Sequence, residues 1–330
     1  MAGKDIIVIG ASAGGIEALR ALAAVLPRDL PAAVFVVQHS APDAPSVLPM
    51  ILERAGDLPA RHPRDGERFE RGHIYVAPPD HHLVLEPNQL MRVTRGPKEN
   101  RFRPAVDPLF RSAARSYGTR VVGVVLTGGL DDGTTGLLAI KQRGGTAVVQ
   151  DPSDALVPSM PLSAVTHVRV DYCVPLVEVA PLLARLAAEP AEERSYPVSD
   201  ELDIEVKIAL EDNAVGAGLL ELGEPSSYAC PDCHGVLLRL KAGGPMRFRC
   251  HTGHAYTADS LLAGVTENVE DSLWNSIRTL EEAEMLLRHL AEHLGEGRQN
   301  GQAEALLDQA ADLRRRADLV RQATLDHPKQ

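Results

Sequence analysis

The sequence predicts an α/β fold: a doubly wound, mostly parallel sheet with helices on both faces, followed by a small zinc-ribbon-like module and a helical hairpin. Three observations favour this fold. Between residue 4 and about residue 188, β-branched apolar runs alternate with helical patterns, as in strands that are joined by crossover helices. Three cysteines lie close together between residues 230 and 250, and two long amphipathic stretches follow them.

Five apolar runs are the predicted strands of the sheet: DIIVIG, AVFVVQH, HIYVAP, VVGVVLT and TAVVQD. Because these runs are apolar throughout rather than alternating, they are typical of parallel strands that helices cover on both faces. The stretch HLVLEPNQLMRVT instead predicts a small β-hairpin that turns at Pro87-Asn88.

Length and composition restrict the class of protein. With 330 residues, of which 44% are hydrophobic and 24% charged, the chain is long enough for a full core and for more than one domain. The formal net charge of -11 argues against a nucleic-acid partner. No apolar run approaches the roughly 20 residues that cross a bilayer, and residues 1–5 lack signal-peptide features, so we expect a cytoplasmic protein.

A change in composition predicts the domain boundary. The stretch AAEPAEERSYPVSDELDIE is polar and acidic, and Pro190 and Pro197 interrupt it. We therefore divide the chain into a catalytic α/β domain, a linker with a connecting segment, a zinc-ribbon-like module, and a helical hairpin or coiled coil, at residues 1–188, 189–226, 227–258 and 259–330.

The last part of the chain carries two apolar stripes with steps of mostly three and four residues, separated by GEGRQNG. This spacing predicts an antiparallel helical hairpin or coiled coil. The stripes indicate either ordinary core packing or a docking face through which the chain associates with a second copy or another protein. Their members are Leu262, Val265, Val269, Leu273, Ile277, Leu280, Leu287, Leu290, Leu294, Leu306, Ala310, Leu313, Ala317 and Val320.

The first strand runs into a glycine-rich turn that holds a serine. Residues 10–14 match G-x-S-x-G, in which small neighbours permit a sharp strand-to-helix turn that exposes the hydroxyl of Ser12. The motif alone leaves three interpretations open: a nucleophile, a phosphate-binding turn, or tight packing. The dinucleotide pattern G-x-G-x-x-G is not met, because Ser12 occupies its second glycine position.

A serine nucleophile needs a base that takes its proton and a carboxylate that orients the base. In an open α/β sheet, both groups should follow the carboxyl ends of strands. His39 directly follows AVFVVQ, while Asp131 and Asp132 follow VVGVVLTGGL, so both kinds of residue meet this condition. The sequence therefore favours a catalytic serine.

Other histidines compete for the role of base. His81 and His82 follow HIYVAPPD and would also lie near the carboxyl edge, although a hydrogen-bonded loop residue is the plainer interpretation there. His62 and His73 have no predicted strand end before them. We favour His39 as the base.

The cysteine cluster predicts a metal site in CPDCHGVLLRLKAGGPMRFRCHTGH. A C-x2-C pair, a hairpin and a C-x3-H pair are typical of a zinc ribbon, and four protein ligands close the site, so the expected Zn²⁺ is structural. We favour His254 over His251 as the fourth ligand, because a glycine beside His254 supports a turn whereas His251 adjoins a ligand. The fourth cysteine, Cys173, is predicted to be a buried thiol. The three cysteine ligands are Cys230, Cys233 and Cys250.

Six blocks occur in order between residues 4 and 186: VIGASAGGIEAL, VVQH, IYVAPPDHHL, RPAVDPLFRSAA, GVVLTGGLDDGTTGL and VQDPSDALVPSMPLSAV. Together they resemble the CheB family of chemotaxis receptor methylesterases. The resemblance implies that Ser12 is the nucleophile and His39 the base. It also implies that the triad aspartate is the acid directly before the glycine, which is Asp132 and not Asp131.

The resemblance further implies a function and a partner. The family removes methyl groups from glutamate methyl esters on transmembrane receptor helices and often deamidates glutamines there. We therefore expect no catalytic cofactor, and a partner that is the cytoplasmic helices of a methylated chemotaxis-type receptor. The chain would meet the membrane only through that receptor. Backbone N–H groups of Ala13 and Gly129 would stabilise the oxyanion, aided by the helix that begins near Gly15.

Two features depart from the family pattern. Ala13 and Gly129 stand where the family commonly has threonine and methionine, which we expect to affect rate or substrate preference while activity survives. The family typically carries a receiver domain ahead of the catalytic domain, but the first strand starts here at about Lys4, so we expect no control through phosphorylation of this chain. The rival hypotheses are a noncatalytic signalling adaptor that uses the fold as a docking platform, and a broader carboxylesterase.

Overall fold

The computed structural model describes residues 3–43, 45–211, 214–241, 243–296 and 300–325. The strands in these ranges are β1 Ile6–Ala11, β2 Ala33–Gln38, β3 Ala60–Arg61, β4 Ile74–Val76, β5 His82–Glu86, β6 Leu90–Thr94, β7 Val121–Val125, β8 Thr146–Gln150, β9 Tyr172–Val174, β10 Gly223–Ala229, β11 Val236–Leu240, β12 Arg247–Cys250 and β13 Ala255–Thr257. The α-helices are α1 Gly15–Ala23, α2 Leu48–Ala55, α3 Val106–Tyr117, α4 Thr134–Gln142, α5 Ser159–His167, α6 Leu176–Ala188, α7 Asp200–Glu211, α8 Ala258–Glu296 and α9 Asn300–Leu325. Short 3-10 helices cover Gly118–Arg120 and Leu219–Glu221.

Seven strands form one sheet in the order β3-β4-β2-β1-β7-β8-β9. All neighbouring strands in it are parallel. The strand β1 has β2 on one side and β7 on the other, so the winding of the chain changes direction between β1 and β7. A crevice opens outside the carboxyl ends of strands at such a point, and ligands of open α/β sheets bind there.

Helices cover both faces of the sheet. The helices α3, α4 and α5 pack on one face and bury one apolar core. The helices α1, α2 and α6 pack on the other face and bury a second apolar core. The continuous apolar strands therefore have no solvent-facing side, which confirms the doubly wound α/β fold that the sequence predicts.

The five predicted strands of the sheet are confirmed as β1, β2, β4, β7 and β8, and the predicted hairpin is confirmed as β5 and β6. At its turn, Asn88 and Gln89 have φ angles of 61° and 64°, the left-handed region that Asn tolerates well. The edge strands β3 and β9 were not predicted. They are only 2 and 3 residues long and carry no continuous apolar run.

Cys173 corrects one prediction. It lies in the edge strand β9, and its side chain is exposed. Within the described ranges β9 pairs only with β8. Tyr172 and Val174, on either side of Cys173, pack against the second core, so Cys173 points to the opposite face of this edge strand, which is open to solvent there. The prediction of a buried thiol at Cys173 is therefore wrong.

The predicted linker and connecting segment, residues 189–226, contains the helix α7, which packs against α3 and the hairpin of β5 and β6. The strands β10 to β13 follow and form an antiparallel sheet in chain order. These elements and the seven-stranded sheet belong to one compact unit, Met1–Leu261. The zinc-ribbon-like part is thus joined to the α/β part in a single packed body.

The second compact unit, Leu262–Gln330, contains most of α8 and all of α9, as the helical stripes predict. Buried positions recur every seventh residue, which is typical of a coiled coil, and Arg321 of α9 donates a hydrogen bond to Glu281 of α8 at 2.6 Å. The predicted GEGRQNG connection falls partly on residues 297–299, outside the described ranges. No helix within those ranges is long and apolar enough to span a membrane. The recurring positions are Ile277, Glu284 and Ala291 in α8 and Ala303, Ala310 and Ala317 in α9.

Part of the predicted apolar stripe of α8 is exposed rather than packed. Stripe positions that are buried, such as Ile277, agree with the prediction that the stripe forms a packed helical face. The spacing of three and four residues identifies a helical face, but it does not say how much of that face is covered. The exposed members are Leu262, Val265, Val269 and Leu290.

Gly10 allows the closest approach between the sheet and α3. A Cβ atom at this position would come within 2.3 Å of Val106 Cγ1. We therefore expect Gly10→Ala to lower the free energy of unfolding by about 1–3 kcal/mol, because it overpacks a filled core. Chemical denaturation followed by circular dichroism measures this change.

The matched control is Gly243→Ala. A Cβ atom at Gly243 would meet nothing within 4 Å, so the free energy of unfolding should stay within about 0.5 kcal/mol of wild type. Equal stabilities of the two variants would contradict the close packing of α3 on β1.

Candidate active site

Ser12 lies in the turn between β1 and α1, at the point where the winding of the sheet changes direction. Its backbone N–H donates to the carbonyl of Thr127 at 3.0 Å, and its carbonyl accepts from the N–H of Gly15 at 2.8 Å. Gly14 has a φ angle of 77°, which favours glycine, and a Cβ at Gly15 would come within 2.1 Å of the Gln38 side chain. The small residues of the motif therefore make the turn possible and present the hydroxyl at the carboxyl edge.

His39 follows β2 and lies beside Ser12. Its Nδ1 is 3.1 Å from Ser12 Oγ, and its Nε2 is 2.8 Å from Asp132 Oδ2. Because an ionised carboxylate can only accept, Nε2 carries the ring proton and Nδ1 is left as an acceptor for the serine hydroxyl. The Phe102 ring stacks on the imidazole, with ring centroids 3.8 Å apart and planes at 9°.

Asp132 is buried, yet both of its oxygens are supplied with donors. Oδ2 accepts from His39 and from the backbone N–H of Val106 at 2.7 Å. Oδ1 accepts from Asn100 Nδ2 at 3.0 Å and from the backbone N–H of Asp107 at 3.2 Å. Burial acts to raise the pKa of Asp132, but these hydrogen bonds and the positive charge that His39 can carry hold it below its ordinary value. Asp132 is therefore a carboxylate at neutral pH.

The neighbouring Asp131 has a different environment. Its Oδ1 accepts from Thr257 Oγ1 at 2.8 Å, and it makes no hydrogen bond to His39 among the described residues. Burial raises the pKa of Asp131 to about 6, although the Thr257 hydrogen bond opposes this. Asp132, and not Asp131, is thus hydrogen-bonded to His39, and Asp132 is the residue that the resemblance implies.

The competing histidines do not reach Ser12. His82 is buried, donates from Nε2 to the carbonyl of Pro97 at 2.9 Å, and accepts at Nδ1 from the N–H of Ala105 at 3.2 Å. Burial lowers the pKa of His82, so it stays neutral in this structural role. His81 bonds the carbonyl of Pro79. Like these two, His62 and His73 bond backbone carbonyls instead of a triad residue.

The predicted oxyanion donors lie on two turns that meet at Ser12. A Cβ atom at Gly128 would come within 2.8 Å of Ser12 Cβ, so the turn after β7 passes directly beside the serine. Within the described residues, the backbone N–H groups of Ala13 and Gly129 donate to no acceptor of the chain. Both N–H groups therefore remain available to a ligand, and their role stays a prediction.

An open cleft of about 450 Å³ lies over the serine and the histidine. Its wall includes the ring of Phe102 and three cationic residues. Arg103 is held in place there by Asp80, at 2.7 Å. Lys98 likewise pairs with Asp232 at 3.5 Å, so acidic partners offset these positive charges. The cleft is wide enough for a side chain carried on a larger partner. The cationic residues are Lys98, Arg101 and Arg103.

Sequence reasoning missed Asn100, Phe102 and Asp107 as parts of the site. Asp107 is buried next to Asp132, and burial together with that charge raises its pKa well above the usual range. Its Oδ1 accepts from the N–H of Gly136 at 2.7 Å. The block RPAVDPLFRSAA contains Asp107, but a local pattern does not indicate which distant loop this residue contacts.

The predicted metal ligands also lie together. Their ligand atoms are all within 4.8 Å of one another. The sulfurs of Cys233 and Cys250 are 3.6 Å apart, close to the roughly 3.8 Å edge of a tetrahedron with Zn–S bonds of about 2.3 Å. His251 is exposed and lies outside the group. The donor set and its spacing fit a tetrahedral ion. The four residues are Cys230, Cys233, Cys250 and His254.

Two tight turns bring these ligands to one point. The N–H of His234 donates to the carbonyl of Cys230 at 2.9 Å, and the N–H of Gly253 donates to the carbonyl of Cys250 at 2.8 Å. Gly253 has a φ angle of 102°, and a Cβ there would come within 2.6 Å of Pro97. The second turn therefore needs glycine for its conformation and for its contact with the α/β part.

A hydroxyl, an imidazole and a carboxylate, hydrogen-bonded in series at the carboxyl edge of a doubly wound sheet, define the class of this protein as a serine hydrolase. Within that class, the chain belongs to the CheB methylesterase family, whose family model matches residues 7–183. That match covers more than half of the chain and leaves the C-terminal part unassigned.

Three similar proteins illustrate the relationship. A putative protein-glutamate methylesterase/protein-glutamine glutaminase of Leptospira interrogans is 37% identical over 190 residues, which are 58% of this chain and 98% of that protein. A protein-glutamate methylesterase/protein-glutamine glutaminase of Ralstonia nicotianae is 38% identical over 189 residues, 56% of this chain and 49% of that protein. The crystal structure of the Thermotoga maritima CheB methylesterase catalytic domain is 34% identical, with a TM-score of 0.54, and the match covers 56% of this chain and 100% of that one.

The hydrogen bond between His39 and Asp132 gives the first test of the site. A fluorophosphonate that labels catalytic serines should label Ser12, which mass spectrometry of the digested protein identifies. We expect Asp132→Asn to slow this labelling by about 10⁴-fold, because an amide facing His39 disfavours the tautomer that accepts the serine proton.

Asp29→Asn is the control for that variant. Asp29 is exposed and contacts none of the three residues, so its labelling rate should equal that of wild type. Labelling of Asp132→Asn at the wild-type rate would contradict the role of the carboxylate.

Proposed function

We propose that this protein is a protein-glutamate methylesterase that acts on chemotaxis-type receptors, with Ser12 as nucleophile, His39 as base and Asp132 as the orienting carboxylate. The observation that carries the proposal is the unbroken hydrogen-bonded series from Ser12 Oγ through His39 to Asp132. Relatives named protein-glutamate methylesterase/protein-glutamine glutaminase support the choice of substrate.

The first half of the reaction forms an acyl-enzyme. Ser12 Oγ attacks the ester carbonyl of a glutamate methyl ester while His39 Nδ1 takes the hydroxyl proton. Asp132 stabilises the resulting imidazolium through Nε2. The oxyanion of the tetrahedral intermediate faces the N–H groups of Ala13 and Gly129. The C–O bond to the methoxy group then breaks, and His39 passes its proton to that oxygen, so methanol leaves.

The second half releases the product. A water molecule attacks the acyl carbonyl and gives one proton to His39, which forms a second tetrahedral intermediate. The bond to Ser12 Oγ breaks as His39 returns the proton to that oxygen. The products are free enzyme and a glutamic acid side chain, which ionises to the carboxylate by releasing its proton to water. With a glutamine substrate, the same steps release ammonia in place of methanol, so we include glutamine deamidation in the proposal.

The cleft suits a substrate that is part of a receptor helix. The cleft beside Ser12 is open and has a volume of about 450 Å³, so it admits a glutamate side chain that projects from a helix of a larger protein. The proposed partner is therefore the cytoplasmic helices of a methylated receptor, and the proposed location is the cytoplasm, with membrane contact only through that receptor.

Methanol release from methylated receptor membranes tests the function directly. Wild-type protein should release methanol, and Ser12→Ala should reduce the rate by on the order of 10⁶-fold, because the nucleophile is lost. His81→Asn, outside the hydrogen-bonded series, is the matched control and should match wild type.

Two other outcomes would count against the proposal. Equal release by wild type and Ser12→Ala would favour a noncatalytic adaptor. Rapid turnover of small esters with no methanol release from receptors would indicate a broader carboxylesterase.

We further propose that Cys230, Cys233, Cys250 and His254 hold a structural Zn²⁺. The three thiolates and one imidazole are ligands that Zn²⁺ prefers, and four protein ligands leave no open position for a substrate. When bound, such an ion contributes folding energy to the module and takes no part in ester hydrolysis. The short distances between the ligand atoms support this assignment.

Metal analysis tests this assignment. Purified protein should contain about one zinc per chain, and Cys250→Ala should lose it, because three remaining ligands bind far more weakly. Cys173→Ser is the matched control, since Cys173 is exposed in β9 and distant in sequence from the cluster, and it should retain the zinc. A metal-free wild-type protein with titratable thiols in the cluster would contradict the assignment.

A further inference from the structure

The loop at residues 98–103 connects the active site to the zinc-ribbon-like module. The backbone N–H of Asn100 donates to the carbonyl of Ala255 at 2.8 Å, and the N–H of Ala255 donates to the carbonyl of Lys98 at 3.2 Å. The loop thus pairs with the first residue of β13, which follows the ligand His254. The same loop carries Phe102, which stacks on His39.

The side chain of Asn100 lies between two groups of opposite hydrogen-bonding character. On one side, its Nδ2 donates to Asp132 Oδ1 at 3.0 Å and to Asp107 Oδ2 at 3.1 Å. On the other side, its Oδ1 accepts from the backbone N–H of Thr257 at 3.1 Å and from Ser260 Oγ at 3.0 Å. Asn100 is 3% exposed, so water does not replace these partners.

The module favours one orientation of this amide. The backbone N–H of Thr257 can only donate, and it is shared between Ser260 Oγ at 2.9 Å and the oxygen of the Asn100 amide at 3.1 Å, so it favours the orientation in which that oxygen faces it. The amide nitrogen must then face the two carboxylates. A flipped amide would place its oxygen against Asp132 and its N–H₂ group against another N–H, and both contacts would lose their hydrogen bonds. The orientation that serves the triad is thereby favoured from both sides, by the two carboxylates of the α/β part and by the donors of the module.

The donors on the module are themselves held rigidly. Thr257 and Ser260 form a reciprocal cap at the start of α8: the N–H of Thr257 donates to Ser260 Oγ at 2.9 Å, and the N–H of Ser260 donates to Thr257 Oγ1 at 3.2 Å. The Thr257 hydroxyl also donates to Asp131 at 2.8 Å. The cap is therefore tied to the residue next to the triad aspartate as well.

A buried arginine fixes the module against the loop. Arg249 of β12 is fully buried and donates to the carbonyl of Gly253 at 2.8 Å and to Glu99 Oε1 at 3.1 Å. The same carboxylate accepts from Arg111 of α3 at 2.5 Å. Glu99 precedes Asn100 in the chain, so this ion pair holds the position of the loop relative to β12 and α3.

We propose that residues 255–260 of the C-terminal extension form a positioning element for the triad, and that Asn100 transmits their position to Asp132. The extension is then part of the catalytic unit rather than an independent module. This inference rests on the proposed hydrolase function for its kinetic test, but its structural test does not depend on any substrate.

The kinetic test uses full-length protein and three variants. Asn100→Ala removes a hydrogen bond to an ionised group, so kcat for receptor methyl esters should fall about 10- to 100-fold. Ser260→Ala removes one neutral donor to Asn100, so kcat should fall about 3- to 10-fold. KM should stay unchanged in both, because neither residue lines the cleft. Ser260→Thr keeps the hydroxyl and should restore most of the loss.

Ser272→Ala is the matched control. Ser272 lies further along α8 and is exposed, and its hydroxyl donates to the carbonyl of Asn268 within the same helix. Its kcat and KM should equal those of wild type. An effect of the same size in Ser272→Ala and Ser260→Ala would overturn the proposal, since it would reflect general weakening of α8.

The structural test is the NMR resonance of the His39 Nε2 proton. This proton is bound between His39 and Asp132, so its resonance should lie far downfield in wild type and should shift or broaden in Ser260→Ala. The resonance is independent of substrate, so it separates this inference from the proposed function. An unchanged resonance together with wild-type kcat in Ser260→Ala would overturn the positioning role, even if Asn100→Ala fails to fold.

Discussion

The site depends on keeping one carboxylate ionised inside the protein. Removing Asp132 from water costs several kcal/mol unless donors replace its hydration. Four donors do so, and they come from three segments of the chain: the imidazole of His39, the amide of Asn100, and the backbone N–H groups of Val106 and Asp107. Both backbone N–H groups belong to the first turn of α3, where the helix dipole also favours a negative charge. The positions of β2, the 98–103 loop and α3 are thus all constrained by a single side chain.

Close packing between the sheet and α3 brings the donors of α3 to Asp132. The first turn of α3 reaches Asp132 because neither β1 at Gly10 nor the turn before α4 at Gly133 has a side chain there: a Cβ at either glycine would meet the side chain of Val106 within 3 Å. The turn after β7 reaches Ser12 for the same reason at Gly128. The glycines of the two sequence motifs therefore leave room for the side chains of neighbouring elements. These glycines are needed because segments of the backbone approach one another closely at the active site.

The sequence predicted those parts of the fold that depend on local pattern. Continuous apolar strands predicted the parallel sheet, and the position of a residue directly after a strand predicted that Ser12 and His39 meet at its carboxyl edge. That rule could not choose between Asp131 and Asp132, because both follow the same strand, and the choice came from the resemblance. The exposure of Cys173 and the role of Asn100 depend on contacts between distant segments, and no local pattern of apolar residues encodes them. Asn100 in particular stands more than 150 residues before Thr257, which orients it.

The buried ions between β12, α3 and α7 explain how the added module could acquire a defined position. Arg249 pairs with Glu99 and with Glu205 of α7, at 3.1 and 3.2 Å, and all three side chains are almost completely buried. Such pairs add little net stability, because desolvation offsets most of the Coulomb attraction, but breaking one by displacement leaves an unpaired buried charge at a cost of about 3–5 kcal/mol. An apolar interface would tolerate a small shift of the module, whereas this one does not. The neighbouring module helps to orient the Asn100 amide of the catalytic site, and a shift of a single ångström at Thr257 would break the hydrogen bond between them. The site therefore needs an interface of buried ion pairs, which holds the module in place.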